Sequence, residues 1–143
     1  MNIILFGPPG AGKGTQSDKI VDRYKLFKIS SGDLLREEVK KDNQLSKQIK
    51  FLLDKGSFVS DETIDVIVNN ILLDNKKNKN LIFDGYPRNI SQATKLDILI
   101  KKLGLKISCV LSLEVDKETI IKRISGRQTC SNCGLIFNEY FNP

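Results

Sequence analysis

The sequence predicts an α/β fold in which a parallel sheet is covered by helices on both faces. Four short apolar runs alternate with helical segments along the 143 residues. This order favours parallel strands that are joined by helical crossovers. The runs are continuously apolar rather than alternating, as is typical of strands that are buried on both faces. The length suits one domain with a single core.

The predicted elements follow from apolar spacing and from helix end signals. The predicted strands are NIILF (2–6), LFKIS (26–30), NLIFD (80–84) and ISCVLSLEV (107–115). The predicted helices are 13–24, 33–41, 45–54, 61–73, 91–103 and 116–125. Gly104 suits the end of the fifth helix, and Asp116 suits the N-cap of the sixth. The stretch 31–60 holds two helices and no strand, so we expect it to project from the sheet as an insert.

The composition is that of an ordinary globular protein, with 40% hydrophobic and 28% charged residues. No apolar run approaches the roughly 20 residues of a membrane span. The strand that begins near Ile3 leads directly into a glycine-rich loop, without the pattern of a signal peptide. Three cysteines do not make a secreted disulfide framework. We therefore expect a cytoplasmic protein.

The net charge of +6 does not by itself indicate nucleic-acid binding. Most lysines alternate with acids along predicted helix faces, as in DKETIIKR, and no basic run is interleaved with aromatic residues. Four of the five arginines lie in or beside the motifs described below, namely Arg36, Arg88, Arg123 and Arg127. Because the planar guanidinium matches phosphate oxygens, this placement indicates small phosphorylated ligands.

The stretch between the first strand and the first helix has the pattern of a phosphate-binding loop. GPPGAGKGT (7–15) follows a strand and opens a helix. Glycines let backbone N–H groups surround an anion, the helix N-terminus adds positive potential, and Lys13 reaches the outer phosphates. Gly14 stands where Ser or Thr usually binds magnesium, and Thr15 follows it. A plain glycine-rich turn is the weaker alternative, so we expect a nucleotide phosphate site.

A second motif, NLIFDGYPR, places a carboxylate and an arginine at the end of the third strand. The strand delivers Asp84 to the carboxyl edge of the sheet, where α/β proteins bind their ligands. A carboxylate there can hold the water shell of Mg²⁺. Gly85 permits close approach, and Arg88 can grip a phosphate with two hydrogen bonds. The alternative is that Asp84 only caps the next helix, which the neighbouring phosphate loop disfavours.

The segment SSGDLLR (30–36) is ambiguous when it is taken alone. Ser31 suits an N-cap, Asp33 suits a first-turn acid, and Arg36 suits a solvated helix residue. The same three side chains would also suit a nucleotide site. The segment by itself leaves both interpretations open.

Cys130 and Cys133 have the spacing of half a zinc site. A tetrahedral zinc needs four ligands, and the chain offers only Cys109 as a further cysteine and no histidine. A redox pair is a weaker interpretation, because that motif normally opens a helix just after a strand. Cys109 lies within an apolar run, and we expect it to be a small buried hydrophobic residue.

Together these motifs resemble those of adenylate kinases. GPPGAGKGT, ISSGDLLR, GSFVSDE, FDGYPRNISQA and RISGRQTCSNCG occur in the order and spacing of that family. They resemble the bacterial long-lid form, whose lid bears zinc, and the resemblance runs from Met1 to the last residue. Ser31 stands where Thr is commoner and keeps the hydroxyl. Gln128 stands where the family usually has a second arginine after Arg127, so one basic side chain is absent there.

The resemblance implies two nucleotide sites and the reaction ATP + AMP ⇌ 2 ADP with Mg²⁺. The implied ATP site comprises Gly10, Ala11, Gly12, Lys13, Gly14, Thr15, Arg123, Arg127, Ile136 and Phe137. The implied AMP site comprises Ser31, Arg36, Ser57, Phe58, Val59, Gly85, Tyr86, Pro87, Arg88 and Gln92, of which Gln92 would contact the adenine edge. The implied catalytic residues are Lys13, Asp84, Arg88, Arg123 and Arg127. The implied partners are ATP, AMP and ADP, with no nucleic acid and no membrane, and we expect a monomer.

The resemblance also implies a P-loop core with two appended segments. The core would comprise residues 1–29 and 60–125, the helical AMP-binding insert 30–59, and the start of the zinc-type lid 126–143. In the family, a second pair of zinc ligands, a fifth parallel strand and a final helix follow, so they would lie beyond Pro143. We therefore expect weak zinc binding and little catalysis from these 143 residues alone.

Two alternatives to an adenylate kinase stay open. Another nucleoside monophosphate kinase, such as one for pyrimidine nucleotides, would resemble the same core, but such enzymes usually have a short lid without cysteines. The second alternative is a nucleotide-binding fragment without catalysis. An assay for ADP formation separates these possibilities.

Overall fold

The computed structural model describes residues 1–55, 57, 59–75, 78–132 and 135–141. Its elements are β1 (Asn2–Phe6), α1 (Lys13–Tyr24), β2 (Phe27–Ser30), α2 (Ser31–Val39), α3 (Gln44–Asp54), α4 (Asp61–Asp74), β3 (Leu81–Asp84), α5 (Ile90–Lys102), β4 (Cys109–Ser112), α6 (Lys117–Ser125), β5 (Arg127–Thr129) and β6 (Ile136–Asn138). No helix in these described ranges is long and apolar enough to cross a bilayer.

The predicted α/β fold is confirmed, and β1 and α1 have the predicted bounds. The other helices differ from the prediction by one or two residues at an end, a normal scatter for frayed termini. The strand predicted over 107–115 is shorter, because β4 covers only Cys109–Ser112. Within the described residues, a small antiparallel hairpin of β5 and β6 is an addition that the sequence did not predict.

The main sheet has the strand order β2-β3-β1-β4, and all its strands are parallel. The register places Asp84 opposite both Leu5 of β1 and Ser30 of β2. Because all the strands run in the same direction, their carboxyl ends lie at one edge of the sheet. The loops that leave this edge lead into α1, α2 and the segment before α5. The phosphate loop and the third-strand motif therefore share that edge.

The core lies on both faces of β3, whose four residues are all buried. Phe83 points to a large cluster that also includes Ile29 of β2 and apolar residues of α2 to α5. Ile82 points to the opposite face, where it packs with Ile3 and Leu26 against α1. Successive side chains of a strand alternate between faces, so this split explains why the strand had to be apolar throughout.

β4 is an edge strand of this sheet, and one prediction about it is wrong. Cys109 is exposed, although its apolar neighbours led us to expect burial. Among the strands of the described ranges, β4 pairs with β1 alone, and Val110 and Leu111 are also exposed. An apolar run predicts a strand, but the run does not tell whether a neighbouring strand covers its outer side.

Polar side chains define where five of the helices begin. Ser30 caps α2, Asn43 caps α3, Ser60 caps α4, Asn89 caps α5 and Asp116 caps α6. Each side chain accepts a hydrogen bond from a backbone N–H in the first turn, which otherwise has no partner within the helix. The predicted Asp116 cap is confirmed. α2 begins two residues earlier than predicted, with Ser30 rather than Ser31 as its cap.

Two carboxylates at the start of α4 fasten this helix to the segment that follows β3. Asp65 accepts hydrogen bonds from the Tyr86 hydroxyl at 2.9 Å and from Lys95 Nζ at 2.6 Å. Asp61 accepts one from Asn89 Nδ2 at 2.7 Å. Burial raises the pKa of Tyr86, and its hydrogen bond to Asp65 raises it further, so the hydroxyl stays protonated and remains a donor. These contacts hold α4 against the core.

We predict that truncation of Ile29 destabilises the protein strongly. Ile29 is 0% exposed in the core cluster, and replacement of a buried isoleucine by alanine costs about 2–5 kcal/mol. Urea unfolding of Ile29→Ala beside the wild type measures this loss. Ile98→Ala is the matched control, because Ile98 is 62% exposed, and its change should stay within about 0.5 kcal/mol. Equal losses in the two variants would contradict the assignment of the core.

Candidate functional site

The glycine-rich loop joins β1 to α1 and leaves the start of that helix open to an anion. Gly12 is the N-cap of α1, with a φ of 92° that favours glycine, and no side chain caps the first turn. Gly7 has a φ of 146°, and a Cβ there would lie 2.8 Å from the carbonyl oxygen of Leu113. The uncapped first-turn N–H groups and the helix dipole make this helix end suited to phosphate.

Lys13 lies at the first position of α1 and curls back over the loop. Its Nζ donates to the carbonyl oxygens of Gly7 at 2.8 Å and Pro8 at 2.9 Å. Burial lowers the pKa of Lys13, the charge of Asp84 opposes this, and the charges of Arg88 and Arg127 lower the pKa further. The net pKa is below the ordinary value. The lysine is thus one member of a group of cations that a polyanion would stabilise.

Asp84 ends β3 beside the phosphate loop, as predicted. Its side chain is only 10% exposed. Ser17 of α1, which is fully buried, lies with its Oγ 3.1 Å from Asp84 Oδ2 and 2.8 Å from the carbonyl oxygen of Gly14. A Cβ on Gly14 would lie 3.8 Å from Asp84 Oδ2. The carboxylate therefore lies against the first turn of α1, where an outer phosphate and its cation would be expected.

Lys28 is a contact of this carboxylate that the sequence interpretation missed. Its Nζ lies 2.7 Å from Asp18 Oδ1, 3.6 Å from Asp33 Oδ2 and 3.9 Å from Asp84 Oδ2. Burial lowers the pKa of Lys28, but the hydrogen bond to Asp18 and the charges of all three aspartates outweigh burial and raise it. A charged residue inside the apolar run LFKIS was the available signal.

Ser31, Gly85 and Arg88 meet in one group of hydrogen bonds. The Arg88 Nη2 lies 2.9 Å from Ser31 Oγ, and the Arg88 Nε donates to the carbonyl oxygen of Gly85 at 2.8 Å. Ser31 Oγ also lies 2.9 Å from that carbonyl. Because Ser30 is the helix cap, Ser31 is free of that role and lies at the site. The peptide bond between Tyr86 and Pro87 is cis.

Arg36 lies one turn into α2 and pairs with Asp33 on the same helix. Its side chain is 58% exposed, so it can leave this pair without unpacking the core. Burial raises the pKa of Asp33, but hydrogen bonds with Arg36 and Ser30 and the charges of Arg36 and Lys28 lower it below the ordinary value. Asp33 is therefore an anion that faces two cations.

Gln92 is fully buried, and both ends of its amide have partners. Its Oε1 accepts from the backbone N–H of Arg88 at 2.7 Å, and its Nε2 donates to Asp61 Oδ1 at 2.6 Å. A contact between Gln92 and an adenine edge would require the exchange of one of these bonds. Asp61 was not among the residues singled out from the sequence.

Arg123 and Arg127 approach the phosphate loop from the end of α6 and from β5. The Arg123 Nη1 donates to the carbonyl oxygen of Ala11 at 3.3 Å, and its guanidinium lies 5.4 Å from the ring centre of Phe141. Arg127 lies close enough for its charge to lower the pKa of Lys13. In the hairpin, Arg127 lies opposite Asn138.

The remaining nucleotide-site candidates lie in β6 and in the chain before α4. Ile136 and Phe137 of β6 pair with Thr129 and Gln128 of β5. Ser57 is exposed and Val59 is buried, whereas Phe58 lies outside the described residues.

The predicted zinc pair is only half within the described chain. Cys133 lies outside the described residues. The backbone N–H of Cys130 donates to the carbonyl oxygen of Leu135 at 2.8 Å. In the described part of the chain, no group of three or more His, Cys, Asp or Glu side chains is arranged to hold a metal. These residues do not supply a complete zinc site.

The fold and this edge define the class of protein. A parallel sheet, a glycine-rich loop that opens an uncapped helix, and a lysine, a carboxylate and arginines around it are the features of a P-loop nucleotide-binding protein. The family model described as "Adenylate kinase" matches residues 5–139. The chain belongs to the adenylate kinase family.

Curated relatives agree with this family over the whole chain. An adenylate kinase of Pelagibacter ubique is 47% identical over 142 residues, which cover 99% of this chain and 67% of the relative. Adenylate kinases of Methanosarcina barkeri and Archaeoglobus fulgidus are 48% and 43% identical over 143 residues, which cover all of this chain and 66% of each relative. The chain thus spans about two thirds of the length of these relatives.

Proposed function

We propose that this chain carries the nucleotide sites of an adenylate kinase and serves the reaction ATP + AMP ⇌ 2 ADP. The observation that carries the proposal is the meeting of the phosphate loop, Asp84 and Arg88 at one sheet edge. Family membership and the relatives' names support the same assignment. Phosphoryl transfer needs mainly positioning and charge stabilisation, and this edge provides cations on both sides of the place where a phosphoryl group would pass.

The donor nucleotide is assigned to the phosphate loop. Backbone N–H groups from Gly10 to Thr15 would hold the phosphates of ATP, and Lys13 would turn from the loop carbonyls to an outer phosphate. Arg123 and Arg127 would neutralise charge that develops during transfer. The backbone of Ile136 and Phe137 would contact the base or ribose. β6, which carries these two residues, pairs directly with β5, the strand of Arg127, which supports a common role.

The acceptor nucleotide is assigned to the group around Ser31 and Arg88. Arg88 and Arg36 would hold the phosphate of AMP, and Gln92 would contact adenine after exchanging a partner. The segment Ser57–Val59 and the residues Gly85, Tyr86 and Pro87 would complete this site, as the family resemblance implies. The contact between Arg88 and Ser31 supports a single acceptor site formed from α2 and the β3–α5 connection.

Magnesium fits the carboxylate side of the same edge. Asp84 lies against the first turn of α1, and Asp33 lies with it within 4 Å of Lys28 Nζ. Oxygen ligands of this kind, together with several waters, are what Mg²⁺ prefers. When bound, Mg²⁺ would neutralise part of the phosphate charge of ATP. Asp84 is the residue that we assign to it, with Asp33 as its neighbour.

The division into a core, an AMP-binding insert (30–59) and a lid that starts at residue 126 is part of the same proposal. The hydrogen bonds that hold α4 to the core through Asp61 and Asp65 support a return of the chain to the core at about residue 60. A cytoplasmic location, a monomeric state, and the absence of nucleic-acid and membrane binding stay predictions.

Zinc binding by Cys130 and Cys133 is a further part of the proposal. The two cysteines would be two of four ligands, and the other two would come from residues outside these 143. The support is the Cys-x₂-Cys spacing in the sequence, which is typical of one half of a four-ligand structural zinc site.

We predict that Lys13→Met lowers turnover by about a hundredfold or more, since one electrostatic contact to a transition state is worth about this much. A coupled assay for ADP formation measures it, in a chain extended to the length of the relatives. Lys19→Met is the matched control, because Lys19 is an exposed lysine of the same helix and should keep its turnover. Near-normal turnover of Lys13→Met would contradict the assignment of Lys13 to the phosphates of ATP.

We predict that Arg88→Lys slows the reaction by about a hundredfold or more. Lysine keeps the positive charge but cannot form the bidentate hydrogen bonds that a guanidinium makes with phosphate. The loss should appear with AMP, CMP and UMP alike, because Arg88 is assigned to the phosphate that all three acceptors share. The measurement is the rate with AMP, CMP and UMP for the extended wild type and the variant. Faster reaction of the wild type with CMP or UMP than with AMP would favour another nucleoside monophosphate kinase.

We predict that two thiolates alone bind zinc weakly. Metal analysis of the 143-residue chain should therefore find little zinc, and analysis of a chain extended to the length of the relatives should find about one equivalent. A Cys130→Ser variant of the extended chain should lose that zinc. Tight stoichiometric zinc in the monomeric 143-residue chain would contradict the four-ligand proposal.

A further inference from the structure

Lys28 is the one charged residue of β2, and its position follows from the sheet register. Lys28 pairs with Ile82 and Ser30 pairs with Asp84, so Lys28 lies on the same face of the sheet as Asp84 and one diagonal step away from it. Diagonal neighbours on one face are within reach of a long side chain. α1 covers this face, which leaves the lysine partly buried between the sheet and the helix.

The ammonium of Lys28 joins three carboxylates from three different elements. Asp18 of α1 is the nearest at 2.7 Å, Asp33 of α2 lies at 3.6 Å, and Asp84 of β3 lies at 3.9 Å. The Lys28 side chain is 22% exposed, so solvent screens these interactions less than it screens a surface pair. Asp33 has a second cation in Arg36. For Asp84, Lys28 is the nearest cation that the structure records as an ion pair within the described residues.

This arrangement places a positive charge 3.9 Å from the carboxylate that we assign to magnesium. A cation this close to Asp84 reduces the negative potential that a divalent ion would meet at the carboxylate, and it also helps to hold the carboxylate in place. At separations of several ångströms and partial burial, one unit charge changes the affinity for a divalent ion by a factor of several. The same charge also attracts the phosphates of a nucleotide that binds without the metal.

We propose that Lys28 is a positioning residue that sets how strongly nucleotide binding depends on magnesium. The inference rests on the proposed ATP site and deepens it. Its ammonium balances the charge of Asp84 and Asp33, so that the protein binds ATP with a smaller contribution from Mg²⁺ than it would without the lysine. Removal of the charge should strengthen the coupling between the metal and the nucleotide.

The test measures ATP affinity by calorimetry with the 143-residue chain, once in EDTA and once in saturating Mg²⁺, without AMP so that no transfer takes place. The dissociation constant for ATP in EDTA divided by that in Mg²⁺ is the coupling factor between metal and nucleotide. In Lys28→Gln we expect this ratio to rise by about threefold to tenfold. Lys28→Arg keeps the charge, so its ratio should match that of the wild type. Lys19→Gln is the matched control for net charge and should also leave the ratio unchanged.

The outcomes separate this inference from the proposed function. An unchanged ratio in Lys28→Gln, with ATP still bound, overturns the role of Lys28 and leaves the nucleotide site standing. An equal rise in Lys28→Arg or in Lys19→Gln also overturns it, because the effect would then follow side-chain shape or overall charge. If the wild-type chain binds ATP in neither condition, the proposed ATP site fails and the inference fails with it. Thermal unfolding of each variant checks that all of them are folded.

Discussion

The burial of β3 between two neighbouring strands is the constraint on which the rest of the structure depends. All four of its residues are buried, and the strand contributes to apolar clusters on both faces of the sheet. Its last residue is Asp84, so the strand that holds the core together also delivers a carboxylate to the edge of the sheet. A buried carboxylate without partners would be very unfavourable. The hydroxyl of Ser17 and the ammonium of Lys28 provide the compensation.

Charged side chains from several elements of the fold meet at the sheet edge around Asp84. The phosphate loop, α2 and the β3–α5 connection all leave the sheet at this edge, and each brings a cation or a donor with it. The charges are not all free, because Arg36 pairs with Asp33 and Lys28 bridges aspartates. The site therefore combines ion pairs with cations such as Lys13 and Arg88, whose recorded partners are carbonyl and hydroxyl oxygens. A ligand that binds here therefore replaces hydrogen bonds and ion pairs that these side chains already make within the protein.

The sequence predicted the features that depend on local pattern, and it missed those that depend on tertiary neighbours. An apolar run that ends in an aspartate was enough to place Asp84 at the sheet edge, and the glycines before Lys13 were enough to predict the loop. By contrast, the exposure of Cys109 depends on whether another strand lies beside β4. The short strands β5 and β6 give too few residues for a periodic signal. Gln92 donates to Asp61, which lies 31 residues earlier in the chain, on α4. The three carboxylates around Lys28 come from three separate elements.

The bonds between Lys13 and its own loop have a consequence for the kind of anion that can bind there. The ammonium donates to the carbonyl oxygens of Gly7 and Pro8, so it already has two good acceptors. Any ligand that draws it away exchanges these bonds for new ones, and the net gain is only the difference between the two sets. A singly charged anion offers little over two carbonyls. A polyphosphate, with several charged oxygens next to one another, offers much more, so the loop itself discriminates by charge density before any base is recognised.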